Sequence, residues 1–183
     1  MGPGVEMSGG SVGNTMAGIA SLGGTGSYIG KVHKDQLGMI FHQDLESLGI
    51  TFSTKPAIAS APTARCLVIV TPDGQRSMAT YLGACVELGP EDIDAATIRG
   101  HRVTYLEGYL WDAPRAKEAM IKAAQLARDG GRQVALTLSD PTATLATWVG
   151  IGIRYGYHRA DRGNRHREKY SLSRAHRGGR HNH

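Results

Sequence analysis

The stretch that decides the fold runs from residue 103 to residue 138 and reads VTYLEGYLWDAPRAKEAMIKAAQLARDGGRQVALTL. Residues 103–106 are typical of a strand, and residues 114–128 predict a helix rich in alanine and lysine that ends at two glycines. Residues 134–138 predict a second strand. A strand, a helix and a strand in this order form a βαβ unit, which predicts a parallel sheet and an α/β fold.

A hairpin is predicted upstream of this unit. Residues 64–70 read ARCLVIV, an apolar run that predicts a buried strand, and residues 76–82 predict its return strand. The intervening Pro72-Asp73-Gly74 is typical of a tight turn. The chain is therefore expected to combine a parallel sheet with a separate antiparallel excursion.

Shorter elements are predicted in the rest of the first hundred residues. They are a helix at 16–22 with Asn14 or Thr15 as its cap, a strand at 28–32, a helix capped by Asp35 and ended by Gly49, a strand at 50–53, and a short helix opened by Pro90. Their alternation fits the α/β class.

Charge is distributed unevenly along the chain. The 183 residues carry 21 Lys or Arg against 16 Asp or Glu, yet nine of the basic residues and two of the acidic ones lie in residues 151–183. Five of the eight histidines lie there too. After Tyr157 the chain contains few hydrophobic residues. Burial of so little apolar surface cannot offset the entropy cost of ordering the backbone, so residues 142–183 are predicted to form a disordered basic tail.

Composition excludes several classes of protein. Hydrophobic residues make up 40% and charged residues 20% of the chain, as in globular proteins. No apolar run reaches the roughly 18 residues of a membrane helix, and the N-terminus lacks a signal-peptide pattern. Cys66 and Cys85 are too few for a disulfide framework, lack metal-ligand spacing and are expected to be small core residues. The cytoplasm is the default compartment.

A glycine-rich turn precedes the first predicted helix. Gly9 and Gly10 would let a ligand approach the backbone, and the N–H groups at a helix N-terminus favour oxygen-rich ligands. Asn14 offers a donor and an acceptor, which suits a sugar diol. A capping Asn at a glycine turn is also a common structural feature. The Gly-Lys-Ser/Thr ending of a P-loop is absent.

Two other features have candidate binding roles. Arg76 follows the hairpin turn, where it could contact a hydroxyl or phosphate or be solvated. His33 has no partner fixed by spacing and is expected on a surface loop.

The tail histidines lack metal-ligand spacing, so no metal site is predicted. The basic tail has few aromatic residues, which favours at most non-specific phosphate binding to nucleic acid.

Four runs together resemble the ribokinase-like (PfkB) carbohydrate kinase family. The run GGSVGNTMAGIASLGGTGSYIGKVHKDQLG, residues 9–38, resembles its first signature. Three later runs are similar to the adenosine-kinase-like branch, namely APTARCLVIVTPDGQRSMATYLGA, VTYLEGYLWDAP and ALTLSDP. The resemblance covers about residues 8–141, so residues 1–141 are interpreted as a partial kinase domain that precedes the tail.

The resemblance implies an activity and a fold. The activity is transfer of a phosphoryl group from ATP, with Mg²⁺, to a hydroxyl of a sugar or a nucleoside, adenosine among them. The fold is a parallel-rich sheet flanked by helices, with a small β lid to which residues 50–53, 64–70 and 76–82 contribute. Self-association through lid strands is a further expectation, whereas a membrane partner is not.

The resemblance also implies substrate-binding residues. Gly9, Gly10 and Asn14 match the sugar-binding motif, in which Asn14 would contact ribose hydroxyls, and Arg76 matches an arginine that follows the lid turn near the substrate. The sequence departs from the family at His33, where glycine is usual. It also lacks the first strand of the family, which carries a substrate-binding Asp. The family's Gly-rich anion hole and catalytic Asp are missing from the sequence as well.

These departures leave three hypotheses for function. The first is part of a sugar or nucleoside kinase that is inactive alone, because no catalytic, ATP-binding or metal-binding residue can be assigned in this chain. The second is a non-catalytic module that binds a nucleoside or a sugar. The third is a basic-tailed nucleic-acid binder. The abrupt change of composition near residue 142 suggests a shifted or truncated reading frame.

Overall fold

The computed structural model describes residues 4–137. In chain order its elements are α1 (Ser11–Ser21), α2 (Gln36–Ser47), β1 (Arg65–Val70), β2 (Arg76–Tyr81), α3 (Ala95–Gly100), β3 (Val103–Glu107), α4 (Pro114–Asp129) and β4 (Gln133–Thr137), with short 3₁₀ turns at Gly83–Glu87, Pro90–Asp92 and Gly108–Leu110. The predicted end of β4 at Leu138, the boundary at residue 141 and the basic tail lie outside these residues.

The predicted βαβ unit is confirmed. β3 and β4 pair in parallel, with Val103 opposite Gln133 and Glu107 opposite Thr137. α4 is the crossover that parallel strands require. Its buried side chains are mostly small and recur at helical spacing, which lets the helix approach its neighbours closely; they are Ala116, Ala119, Met120, Ala123, Ala124 and Ala127. Leu106 and Val134 of the strands pack against this face.

A second apolar cluster joins α1 and α2. Val32, Leu45, Ile50 and Phe52 form its buried centre, and Met16, Ala20, Tyr28 and Phe41 pack around them. The rings of Tyr28, Phe41 and Phe52 meet edge to face, with centroids 5.0–5.9 Å apart. Such pairs add specific geometry to the burial of apolar area. The helix predicted after Asp35 is confirmed, because the Asp35 carboxylate accepts from the Gly38 amide and Gly49 follows the helix with a φ of +73°.

The predicted strands at 28–32 and 50–53 are not regular strands. Two isolated parallel bridges, Ser27 with Thr51 and His33 with Ala57, join residues 27–33 to residues 51–57. The segments run side by side as a sheet would place them, but continuous hydrogen bonding is lost between the two bridges. The helix predicted from Pro90 is also divided, because Asp94 caps a new helix by accepting from the Thr97 amide.

The hairpin is confirmed, but the predicted burial of its first strand is wrong. β1 and β2 pair antiparallel, from Arg65 opposite Tyr81 to Val70 opposite Arg76, and every residue of both strands is exposed. A two-stranded ribbon with no other layer of the described chain over it leaves both faces open. Cys66 is therefore exposed rather than a core residue, while Cys85 is half-buried.

A buried ion pair fastens residues 27–33 to the α3–α4 side of the molecule. Lys31 Nζ lies 2.6 Å from Asp92 Oδ1, and the two side chains are only 13% and 6% exposed. The other Asp92 oxygen accepts from the Gly89 amide at 3.0 Å. Removing one member of such a pair leaves an uncompensated buried charge.

Replacing Lys31 by Met is expected to lower the free energy of unfolding by about 3–5 kcal/mol, because Asp92 would remain buried without its cation. Urea unfolding followed by circular dichroism measures the change. The matched control is Lys34→Met, since Lys34 is exposed and forms no ion pair among residues 4–137; its expected change is within about 0.5 kcal/mol. Equal losses in both variants would contradict the assignment.

Candidate functional site

The glycine turn before α1 is built on one unusual backbone conformation. Gly10 has φ +85° and ψ 146°, a region that is essentially restricted to glycine, and α1 begins at the next residue. The cap is therefore Gly10, and the expectation of Asn14 or Thr15 as the cap is wrong. A glycine cap has no side chain to satisfy the first N–H groups of the helix. These donors remain available at the mouth of the turn.

Asn14 lies on the first turn of α1. Its backbone N–H donates to the Gly10 carbonyl at 2.8 Å. Its side-chain amide is exposed and makes no hydrogen bond to another of the described residues. Gly13 lies on the buried side of the same turn, where an added Cβ would meet the Phe41 ring at 3.4 Å. The close packing of Gly13 fixes the turn against α2, and the side-chain amide of Asn14 is exposed to solvent.

The carboxylate of Glu107 meets this turn from the end of β3. The Ser11 hydroxyl donates to Glu107 Oε2, and the Tyr105 hydroxyl donates to Glu107 Oε1 at 3.0 Å. Within residues 4–137 no Lys, Arg or His forms an ion pair with Glu107. The result is an anionic acceptor, held by two hydroxyl groups, beside a helix N-terminus.

Two tyrosines near this carboxylate stay neutral at physiological pH. Burial, followed by the nearby Cys85 and Glu107, raises the pKa of Tyr28 to about 12. Burial, followed by the hydrogen bond to Glu107 and its charge, raises the pKa of Tyr105 to about 12. Both phenols therefore keep their protons, and Tyr105 remains a donor to Glu107 across the physiological range.

Arg76 belongs to a different part of the molecule. It opens β2 immediately after the turn, where Gly74 has a φ of +81°. It is exposed and makes no hydrogen bond or ion pair to the rest of the described chain. The structure thus brings Gly9, Gly10 and Asn14 together on one turn, while Arg76 lies on the hairpin without a contact to them.

The base of the hairpin is fastened to the N-terminus of α2. The Asp35 carboxylate accepts from the Thr63 hydroxyl at 2.6 Å and from the Thr63 amide at 2.9 Å. On the return side, the Ala84 amide donates to the Pro62 carbonyl at 2.9 Å. His33 belongs to the base of the hairpin and is not a free side chain on a surface loop. Its backbone N–H donates to Thr63 Oγ1, and its ring nitrogen Nε2 lies within hydrogen-bond distance of the Ile58 carbonyl.

Sequence reasoning missed Glu107 as a site residue. The strand was predicted at residues 103–106, and the Glu107 carboxylate that follows them was given no role. A usable signal was present, because ligands of open α/β sheets bind beyond the carboxyl ends of parallel strands. The contact with Ser11, 96 residues away in sequence, could not be read from local patterns.

No metal site is apparent in the described part of the chain. Residues 4–137 contain no group of three or more His, Cys, Asp or Glu side chains placed to hold a metal ion. None of the helices in this range is long and apolar enough to cross a membrane.

Comparison with known proteins gives consistent similarities. The sequence model for pfkB family carbohydrate kinases matches residues 4–148. Adenosine kinase from Sinorhizobium meliloti superposes with a TM-score of 0.79 at 52% identity, over 85% of this chain and 48% of that one. A probable sugar kinase from Rhizobium etli superposes with a TM-score of 0.73 at 56% identity, over 78% of this chain and 43% of that one. Probable fructokinase-4 of Arabidopsis thaliana is 26% identical over 146 residues, which is 79% of this chain and 44% of that protein. The chain thus spans less than half the length of these relatives.

Replacing Asp35 by Asn is expected to destabilise the protein at neutral pH by about 1–3 kcal/mol, because the new amide would face the Thr63 N–H donor to donor. Burial alone raises the pKa of Asp35, but hydrogen bonds from the Thr63 hydroxyl, the Thr63 amide and the Gly38 amide outweigh it and hold the pKa below its ordinary value. The wild-type advantage is therefore present above the ordinary pKa and is lost as pH falls through the lowered one.

Thermal unfolding of wild type and Asp35→Asn between pH 7 and pH 2.5 measures this difference. The control is Asp112→Asn, since the exposed Asp112 makes no hydrogen bond among the described residues. A difference between wild type and Asp35→Asn that stays constant down to the lowest pH would contradict the proposed role of the carboxylate.

Proposed function

Since this chain belongs to the pfkB family of carbohydrate kinases, we propose that residues 4–137 form the substrate-binding part of a kinase for a sugar or a nucleoside. The described fold is part of the ribokinase-like α/β fold. The reaction proposed for the complete enzyme is ATP-dependent phosphorylation of a substrate hydroxyl. Here Gly9, Gly10, Asn14 and Arg76 are the proposed substrate contacts, and Glu107 joins them.

The observation that carries this proposal is the meeting of Glu107 with the glycine turn. A carboxylate without a cation partner accepts hydrogen bonds from hydroxyl groups, and the Asn14 amide can both donate and accept. The open backbone at Gly9, where an added Cβ would meet nothing within 4 Å, leaves room for a ligand. Donors and acceptors at one turn suit a sugar, which presents several hydroxyl groups.

A ribose-containing substrate is favoured among the sugars. Two solved structures that share more than half of their aligned residues with this chain are named adenosine kinase and probable sugar kinase. Three probable fructokinases of Arabidopsis thaliana are only 25–27% identical to it. We therefore propose adenosine or ribose as the ligand class, with the ribose hydroxyls directed at Asn14 and Glu107.

The chain by itself is proposed to bind without turnover. Phosphoryl transfer depends on metal ions and on donors around the phosphates, which stabilise charge in the transition state. We propose that ATP and Mg²⁺ bind in the complete kinase, and we assign no catalytic residue within residues 4–137.

Adenosine and ribose are expected to bind the purified chain weakly, and Asn14→Ala is expected to weaken binding by about tenfold, the value of one ligand hydrogen bond. Amide chemical-shift titration by NMR measures the affinity. Thr15→Ala is the matched control, because its hydroxyl bonds within the helix to the Ser11 carbonyl. Absence of saturable binding to either ligand would overturn the proposal.

An ATP-consumption assay with Mg²⁺ and either acceptor tests the absence of turnover in the same preparation. No acceptor-dependent turnover is expected. Clear turnover that survives removal of residues 142–183 would show that catalytic groups lie within the part interpreted as substrate-binding, and would overturn that division.

We further propose that the hairpin, named here the lid ribbon (residues 65–81), associates with a second copy of the chain. Cross-strand pairing places Arg76, a proposed substrate contact, on the same face as Val68, Val70 and Met78, and we therefore assign this face to the substrate. The opposite face carries Leu67 and Ile69, which are 67% and 50% exposed. An apolar face that remains after the substrate face is assigned suits a self-complementary contact.

Ile69→Glu is expected to shift the protein from dimer towards monomer in sedimentation-velocity ultracentrifugation, because a charge would be buried at the contact. The control is Ile58→Glu, since Ile58 is 78% exposed but lies outside the lid ribbon. A wild-type chain that stays monomeric at all concentrations would refute self-association through this ribbon.

A further inference from the structure

The carboxylate of Glu107 is held at both of its oxygens. Ser11 at the start of α1 donates to one oxygen, and Tyr105, two residues earlier on β3, donates to the other at 3.0 Å. Side chains two residues apart in a strand lie on the same face, so Tyr105 reaches Glu107 along its own strand. The two donors come from different elements, and together they fix the plane of the carboxylate.

The number of lone pairs limits what this carboxylate can still accept. An ionised carboxylate has about four acceptor sites, two on each oxygen. The hydroxyls of Ser11 and Tyr105 occupy one site on each oxygen. One site therefore remains on each oxygen, and the two remaining sites are separated by the width of the carboxylate. This pattern matches two neighbouring hydroxyl groups better than a single one.

Tyr105 is suited to hold the carboxylate permanently. The residue is 39% exposed, so it does not belong to the buried core. Its hydroxyl keeps its proton, because the raised pKa of about 12 lies far above physiological pH. Tyr105 therefore remains a hydrogen-bond donor to Glu107 across the physiological pH range.

We propose that Tyr105 is a positioning residue that gives this site its preference for a vicinal diol, by orienting the Glu107 carboxylate so that one acceptor site on each oxygen faces the ligand. This inference rests on the proposed function, since it specifies how the same site selects its ligand. Tyr105 acts through Glu107 and is not itself a ligand contact. Without its hydroxyl, Glu107 would turn about its side-chain bonds and accept from one hydroxyl as readily as from two.

The test compares ligands that differ by one hydroxyl. Affinities of wild type and Tyr105→Phe for ribose and for 2-deoxyribose, and for adenosine and 2′-deoxyadenosine, are measured by NMR titration. Wild type is expected to favour each diol by about tenfold over its deoxy analogue, as for one hydrogen bond to a charged acceptor. In Tyr105→Phe that ratio is expected to fall to about two, mainly through weaker diol binding.

Two variants separate positioning from a general effect on the fold. Tyr109→Phe is the matched control, since Tyr109 is 55% exposed and makes no hydrogen bond among residues 4–137; its diol ratio is expected to equal that of wild type. Ser11→Ala removes the other donor and is expected to lower the diol ratio as Tyr105→Phe does. Melting temperatures of the three variants identify any loss that comes from unfolding.

The outcomes distinguish this inference from the proposed function. A wild-type chain that prefers the diol, with an unchanged ratio in Tyr105→Phe, overturns the role of Tyr105 and leaves the proposed function standing. A wild-type chain that binds none of the four ligands overturns the proposed function and this inference with it. A ratio that falls in Tyr105→Phe and Ser11→Ala but not in Tyr109→Phe supports the inference.

Discussion

Parallel pairing of β3 with β4 is the constraint on which the rest of the described structure depends. Parallel strands need a crossover, and α4 supplies it by laying a row of alanines across one face of the pair. Because the two strands run in the same direction, they end at the same edge of the sheet. Glu107 is the last residue of β3, so the topology itself delivers a carboxylate to that edge, where the α1 turn meets it.

The carboxylates of Asp92 and Glu107 are satisfied in different ways. Asp92 is nearly inaccessible and is neutralised by Lys31, which removes its charge from further use. Glu107 is held by two hydroxyl groups and forms no ion pair within residues 4–137. The first arrangement fastens residues 27–33 to the neighbouring helices. The second leaves a half-buried carboxylate whose two oxygens each accept from one hydroxyl group.

The lid ribbon has weaker connections than the body it extends from. Its base is held by the Asp35 carboxylate on one side and by the Pro62 carbonyl on the other. Beyond that base the ribbon buries none of its residues against the described body. Few buried contacts and an exposed ladder of hydrogen bonds are features of segments that open at low free-energy cost.

Local patterns in the sequence were enough for the βαβ unit, the hairpin and the Asp35 cap, because periodicity, turn residues and capping chemistry act over a few neighbouring residues. They also gave Gly9, Gly10 and Asn14 as one cluster, since these residues lie on a single turn. The start of α1 was misplaced, because a helix that begins directly after Gly10 depends on a backbone conformation rather than on a capping side chain. The burial of β1 was misjudged, because an apolar run does not show whether another layer covers it.

The sequence by itself therefore determined the α/β class, the family resemblance and the glycine turn, since each is written in contiguous residues. Only the tertiary structure decided that Glu107 meets the glycine turn and that Arg76 lies apart from it. The physical reason is distance along the chain: Ser11 and Glu107 are 96 residues apart, and only the packing of α1 beside the end of β3 brings their side chains into hydrogen-bond contact.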